Sequence, residues 1–167
     1  MISLLNNIEN QRKIICVTGG IGTGKTISTS TIANELKEKM NADLFSNYKL
    51  TNSIDISELD LTKIKESERY TIICIDEIEH VLSQSLYRLQ YLLDSSSDEN
   101  IILIIVSFDI KRLPEFIREK IDIHLSVDKK DTDTIELKGV NVNFEKIIKI
   151  QECKVFYDAF VPAKIIF

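Results

Sequence analysis

Tryptophan is absent from this 167-residue chain, and proline, histidine, cysteine and glycine are scarce, at two, two, three and five residues. Each scarcity excludes something. Cys16, Cys74 and Cys153 are odd in number and unclustered, which argues against a disulfide framework. Two of them fall inside apolar, β-rich runs and read as small buried hydrophobes in a reducing compartment. His80 and His124 stand apart, so no zinc-ligand spacing exists. No apolar run approaches the roughly 20 residues that span a bilayer; the longest, residues 101–106, has the length of a strand. Met1 to Arg12 carries Asn and Glu where a signal peptide needs a continuous apolar stretch. A cytoplasmic protein is expected. The net charge of −5 and pI near 5.1 lack the excess of a broadly basic nucleic-acid-binding surface. Any DNA contact must be local, or come from positions repeated around an oligomer. With 44% hydrophobic and 28% charged residues, the chain has the balance of one globular domain with a real core.

The scarce glycine is concentrated. Residues Gly19, Gly20, Ile21, Gly22, Thr23, Gly24, Lys25 and Thr26 match G-x-x-x-x-G-K-[ST], a phosphate-binding loop. Glycines allow a backbone tight enough to aim several N–H groups at phosphate oxygens. The helix that follows adds its positive N-terminal dipole. Lys25 is a point charge for the β- and γ-phosphates, and the Thr26 hydroxyl is a ligand for Mg²⁺. The context agrees. Residues 13–18 form an apolar run suited to a buried parallel strand, and Ile32, Leu36 and Met40 recur at helical spacing after the loop.

Residues 42–45 read as a second strand and residues 46–69 as weakly patterned, with a short helix starting near Asp55. Residues 71–76 form a strand apolar on both faces and ending in acid. Ile78, Leu82, Leu86, Leu89 and Leu93 mark a helix, and residues 94–100 a turn. Residues 101–107 are another two-sided strand, and Pro114 opens a short helix through Lys120. Alternation over residues 121–127 predicts a half-exposed strand near a sheet edge, followed by a charged turn over 128–133. Strands alternating with helices predict an α/β, doubly wound, mostly parallel sheet. Residues 1–133 form the expected core; residues 134–167 form a β-rich extension packed on the same domain or an interface arm.

The strand ending in Asp76 and Glu77 supplies the second constellation. Asp76, at the end of a parallel strand, is placed to meet the Mg²⁺ held by Thr26, and Glu77 to polarise the attacking water as general base. Ser107 at the end of the next strand is a candidate to hold that water or the γ-phosphate; serine is also common at strand ends. Arg118 either reaches a neighbouring subunit's nucleotide or pairs with Glu115 or Asp122. Lys111, Arg112, Arg118 and Lys120 form a local basic cluster, a candidate DNA contact or a solvated face.

The acid pair after the Asp76 strand resembles the division of P-loop ATPases with an added strand and a catalytic glutamate. Residues 46–50 resemble the "N-x-kL" segment of zonular occludens toxin (Zot)-like ATPases, grouped with FtsK/HerA-type DNA pumps and viral genome-packaging motors. Residues 71–78 are similar to that family's second motif, residues 113–122 to its "vd-x-x-iR-x-x-x-d" stretch, and residues 155–158 to its aromatic "fyd". The resemblance implies a P-loop NTPase fold with strand order 5-1-4-3-2, the Ser107 strand lying between the two motif strands. It further implies ATP and Mg²⁺ as cofactors, homo-oligomeric rings and double-stranded DNA as partner, with a capsid or portal protein for packaging members. Two departures stand out. The arginine usual before the fourth strand is replaced by acidic and small residues over 94–100, and the glutamine usual at that strand's end is Ser107. Phage members acting in export carry a membrane segment after this domain; its absence here favours a packaging role, in the host cytoplasm if the protein is viral.

The expected activity is Mg-dependent ATP hydrolysis driving DNA packaging or translocation. A P-loop small-molecule kinase is the second class, opposed by the missing Arg-rich lid. A non-catalytic nucleotide-dependent assembly switch is the third.

Overall fold

Strands that are apolar on both faces need cover on both faces, and three of them lie side by side at the centre of this fold. The structure is a computed structural model describing residues 2–9, 13–48, 50, 52–65, 67–95 and 100–152. In chain order the elements are α1 (Ile2–Glu9), β1 (Ile14–Thr18), α2 (Lys25–Met40), β2 (Asp43–Ser46), β3 (Ile54–Asp55) and α3 (Leu61–Lys65). There follow β4 (Thr71–Ile75), α4 (Ile78–Ser95), β5 (Ile101–Ser107), α5 (Glu115–Arg118), β6 (Ile123–Lys129), β7 (Thr134–Gly139) and β8 (Glu145–Lys149).

These strands form one eight-stranded sheet in the order β3-β2-β4-β5-β1-β6-β7-β8. The inner five reproduce the expected 5-1-4-3-2 order, with β5 between β4 and β1. Pairing is parallel from β3 to β6 and antiparallel from β6 to β8. Within β5 the side chains divide strictly by parity. Ile102, Ile104 and Val106 join Ile15, Val17, Ile72 and the helix residues Leu4, Ile8, Ile32 and Leu36 on one face. Ile101, Leu103 and Ile105 join Ile73, Ile75, Leu89, Leu92 and Leu93 on the other. Cys16 and Cys74 are free and buried, as expected, and burial pushes the Cys16 thiol up to about 12.

Strand β6 has the expected half-exposed alternation and lies two strands in from the β8 edge, with β7 paired along it from Leu125 opposite Gly139 to Lys129 opposite Ile135. Alternation reports which faces are covered and carries no information on whether the strand's N–H and C=O groups are paired. Several elements depart from the sequence reading. Helix α1, where no element was expected, anchors itself through Leu4 and Ile8, four residues apart and fully buried. The expected start of a helix near Asp55 is a 3₁₀ turn, Ile56–Glu58, capped by the Asp55 carboxylate and preceded by the two-residue β3. The helix after Pro114 stops at Arg118. Cys153, residues 155–158 and the apolar end at 165–167 lie outside the described residues.

Candidate functional site

Parallel pairing aligns the C-terminal ends of the central strands: Thr18 of β1 stands opposite Ser107 of β5 and Ser126 of β6. The loop after β1 therefore opens beside the ends of β4 and β5. Two glycines are demanded by geometry. Gly24 caps α2 at φ 94°, a left-handed conformation costly to any residue with a Cβ. At Gly19 a Cβ would fall 2.5 Å from the Val127 carbonyl oxygen. Within the loop, the Thr23 hydroxyl and the Lys25 ammonium donate to the Gly20 carbonyl at 3.0 and 2.8 Å.

The Thr26 hydroxyl, in the first turn of α2, donates to Asp76 Oδ2 at 2.6 Å across 50 residues of sequence. The other carboxylate oxygen of Asp76 accepts the Glu77 N–H at 2.8 Å. Asp76 is only 5% exposed, and burial raises its pKa against the pull of these hydrogen bonds. A buried carboxylate beside a hydroxyl, with one donor N–H, is a hard-oxygen donor set in need of positive charge, which fits Mg²⁺. Thr26 and Asp76 would hold the ion, whose chemistry there is to neutralise phosphate charge. Among the described residues no group of three or more His, Cys, Asp or Glu could hold a metal.

Glu77 takes a left-handed conformation at φ 49°, uncommon for glutamate and a form of strain met at functional sites. Its carboxylate lies near the Tyr48 phenol and 3.4 Å from His80 Nε2. Burial and the neighbouring Asp76 and Glu77 charges push the Tyr48 pKa up, so this phenol stays a neutral donor. A cavity of about 670 Å3 joins these parts, lined by the glycine loop, Lys25, Thr26, Asp76, Glu77 and the end of β5.

The model of the ATPase family associated with various cellular activities (AAA) matches residues 15–129. The chain belongs to this family. AAA proteins are nucleotide-binding ATPases that commonly form oligomers. No curated protein matches the chain in sequence. Among solved structures, the N-terminal domain of zonular occludens toxin from Neisseria meningitidis superposes with a TM-score of 0.57 at 14% identity, covering 84% of this chain and 96% of that one. The genome packaging NTPase B204 of Sulfolobus turreted icosahedral virus 2, solved with ATP-γS, gives 0.53 at 12% identity, covering 84% and 98%. Rhizobiales Trip13 gives 0.52 at 18% identity over 75% of this chain, which spans 49% of that protein's length. These likenesses show an α/β P-loop NTPase fold. No helix among the described residues is long and apolar enough to cross a membrane.

In this AAA domain Ser107 lines the cavity, but its hydroxyl donates to Glu79 Oε1 at 2.6 Å and is only 1% exposed. Arg118 is exposed on α5 and does not line the cavity. Its suggested partner Asp122 receives the backbone N–H groups of Lys13 and Ile14 at 3.0 and 2.9 Å, tying β6 to β1. Within the basic cluster, Lys120 pairs with Asp94 at 2.6 Å, and Arg112 lines the cavity. Four residues of the site were not assigned to it from the sequence. Asn47 is buried and clasps the Asp76 backbone, donating to its carbonyl at 2.9 Å and accepting its N–H at 2.8 Å. Tyr48, Glu79 and Arg112 are the others. Asn47 and Tyr48 lay inside the segment likened to "N-x-kL", a signal that could have found them.

Proposed function

We propose that this AAA domain binds Mg-ATP and hydrolyses it to ADP and phosphate, and that rings of it use the cycle to package or translocate double-stranded DNA. The observation carrying the first half is the 2.6 Å contact of Thr26 with Asp76, with Glu77 next in chain, on one cavity that also holds Lys25. Its volume of about 670 Å3 falls in the small-molecule range, about 300–1,000 Å3. In this reading the loop from Gly19 to Thr26 cradles the phosphates, Lys25 meets the β- and γ-phosphates, Thr26 and Asp76 hold Mg²⁺, and Glu77 takes the proton of the attacking water. The DNA half is supported by likeness of fold to a viral genome packaging NTPase and to the Zot domain. A capsid or portal protein would then be the further partner, and the exposed Arg118 is available to a neighbouring subunit.

One observation favours the non-catalytic assembly-switch reading: the Glu77 carboxylate lies 3.4 Å from His80 Nε2, a contact that competes with its use as a base. The test is Mg-ATP turnover by purified protein with and without double-stranded DNA, with Lys25→Ala as blank. Turnover stimulated by DNA and lost in the blank supports the motor. Turnover indifferent to DNA leaves the ATPase and removes the motor; tight ATP binding without turnover selects the switch.

A further inference from the structure

Besides Lys25, the described lining of the cavity holds one other Lys or Arg, Arg112, against the carboxylates of Asp76, Glu77 and Glu79. Apart from Mg²⁺ and the start of α2, these two cations are what the described lining offers a nucleotide polyanion. Arg112 ends the short turn Ile110–Arg112, which Asp109 caps by accepting the Lys111 N–H at 2.9 Å. None of the ion pairs between described residues uses Arg112. Its guanidinium carbon instead lies 4.7 Å from the centroid of the Phe108 ring. The Lys25 ammonium lies 5.8 Å from the same centroid, so the two cations are no further apart than those distances combined.

Phe108 is an unusual shelf. It stays 37% exposed although large and aromatic, and its backbone is held, because its N–H donates to Glu79 Oε1 at 2.9 Å. The same Glu79 oxygen receives the buried Ser107 hydroxyl, so the first turn of α4 fixes the end of β5. A guanidinium held over such a ring, with no ion pair of its own among the described residues, has N–H groups to offer an anion. Strand β5 runs between β1 and β4. The turn after β5 therefore sets Arg112 on the wall of the cavity that the glycine loop and the acid pair also line.

We propose that Arg112, carried on Phe108, pairs with the terminal phosphate and makes the site discriminate a nucleoside triphosphate from a diphosphate. It does so in cis, within the same chain that carries Lys25. The assignment rests on the reading of the cavity as a nucleotide site.

The experiment is calorimetric titration of the full chain with Mg-ATP-γS and with Mg-ADP, for wild type, Arg112→Ala, Arg112→Lys, Phe108→Leu and Lys111→Ala. A charge-assisted contact to one phosphate corresponds to roughly a 10- to 100-fold change in affinity. Arg112→Ala is expected to weaken ATP-γS by that factor while ADP stays within about twofold. Arg112→Lys should recover part of the loss, since the charge returns without the fork. Phe108→Leu should fall between Arg112→Ala and wild type, and the exposed Lys111→Ala should match wild type. Arg112 is exposed, so its variants should melt as wild type does. An unchanged ATP-γS to ADP ratio in Arg112→Ala, or equal loss of both nucleotides, overturns the assignment. Wild-type protein binding neither nucleotide overturns the nucleotide reading itself, and the assignment with it.

Discussion

Asn47→Ala is the substitution whose consequence follows most directly from the geometry. Asn47 and Asp76 are 7% and 5% exposed, and the Asn47 amide satisfies both backbone groups of Asp76, at 2.8 and 2.9 Å. Truncation leaves a buried N–H and a buried C=O without partners, at about 1–3 kcal/mol each. A water entering the vacated space recovers part of this, so the expected loss is about 2–4 kcal/mol. For a domain of this size each kcal/mol moves the melting temperature by about 2–4 °C, giving a drop of roughly 5–15 °C. The urea midpoint should fall by about 1–2 M with the slope unchanged. Because Asp76 is also the carboxylate that meets Thr26, loosening it should weaken Mg-ATP binding more than binding of ATP in EDTA. Asn47→Asp should do no better: it keeps an acceptor for the Asp76 N–H but sets a second carboxylate against the Asp76 carbonyl. A stability change below about 0.5 kcal/mol, with Mg-ATP and Mg-free affinities falling equally, would refute the reasoning.

The left-handed backbone of Glu77 (φ 49°) makes Glu77→Gly more stable than Glu77→Ala by about 1 kcal/mol, the reverse of their usual order in a helix or strand; paired urea titrations decide it, and equal stability would show the conformation to be unstrained. His124, whose Nε2 is 2.8 Å from the Thr18 hydroxyl, has its pKa lowered from the ordinary 6.5 by burial, with Asp109 opposing. The unfolded chain then binds more protons just below pH 6.5, so the contribution is present above that pH and is lost as pH falls through the window beneath it. His124→Gln should flatten the dependence of the urea midpoint between about pH 7.5 and 5.5; an unaltered slope would assign that dependence to other groups.

The substitutions above fall on residues of unequal legibility in the chain. The two-sided apolar runs at 71–75 and 101–106 could be read as central strands because only a sheet covered by helices on both faces buries every side chain. The glycine loop was legible because its conformation excludes Cβ atoms, and a backbone requirement of that kind leaves a local trace in residue type. Asp76 and Glu77 were legible by adjacency to such a strand. Helix α1 was not, since two buried residues, Leu4 and Ile8, make too short a stripe to distinguish from chance. Nor was the pairing of β6 with β7, because hydrogen-bond partners across an antiparallel ladder leave no mark on either strand's alternation.

What the sequence by itself determined is the local chemistry: a phosphate loop, a strand ending in acid, and a helix after each. Tertiary structure alone decided which other side chains reach them. Asn47 was 29 residues from the Asp76 backbone in sequence, and Ser107 28 residues from Glu79; each pair meets because parallel β2, β4 and β5 finish at one level. Arg112 sat in an apparent cluster of surface charge, and only the turn after β5 sets it beside the Phe108 ring on the cavity wall. A residue's type and near neighbours set what it can bind, whereas its direction is set by the register of strands far apart in the chain.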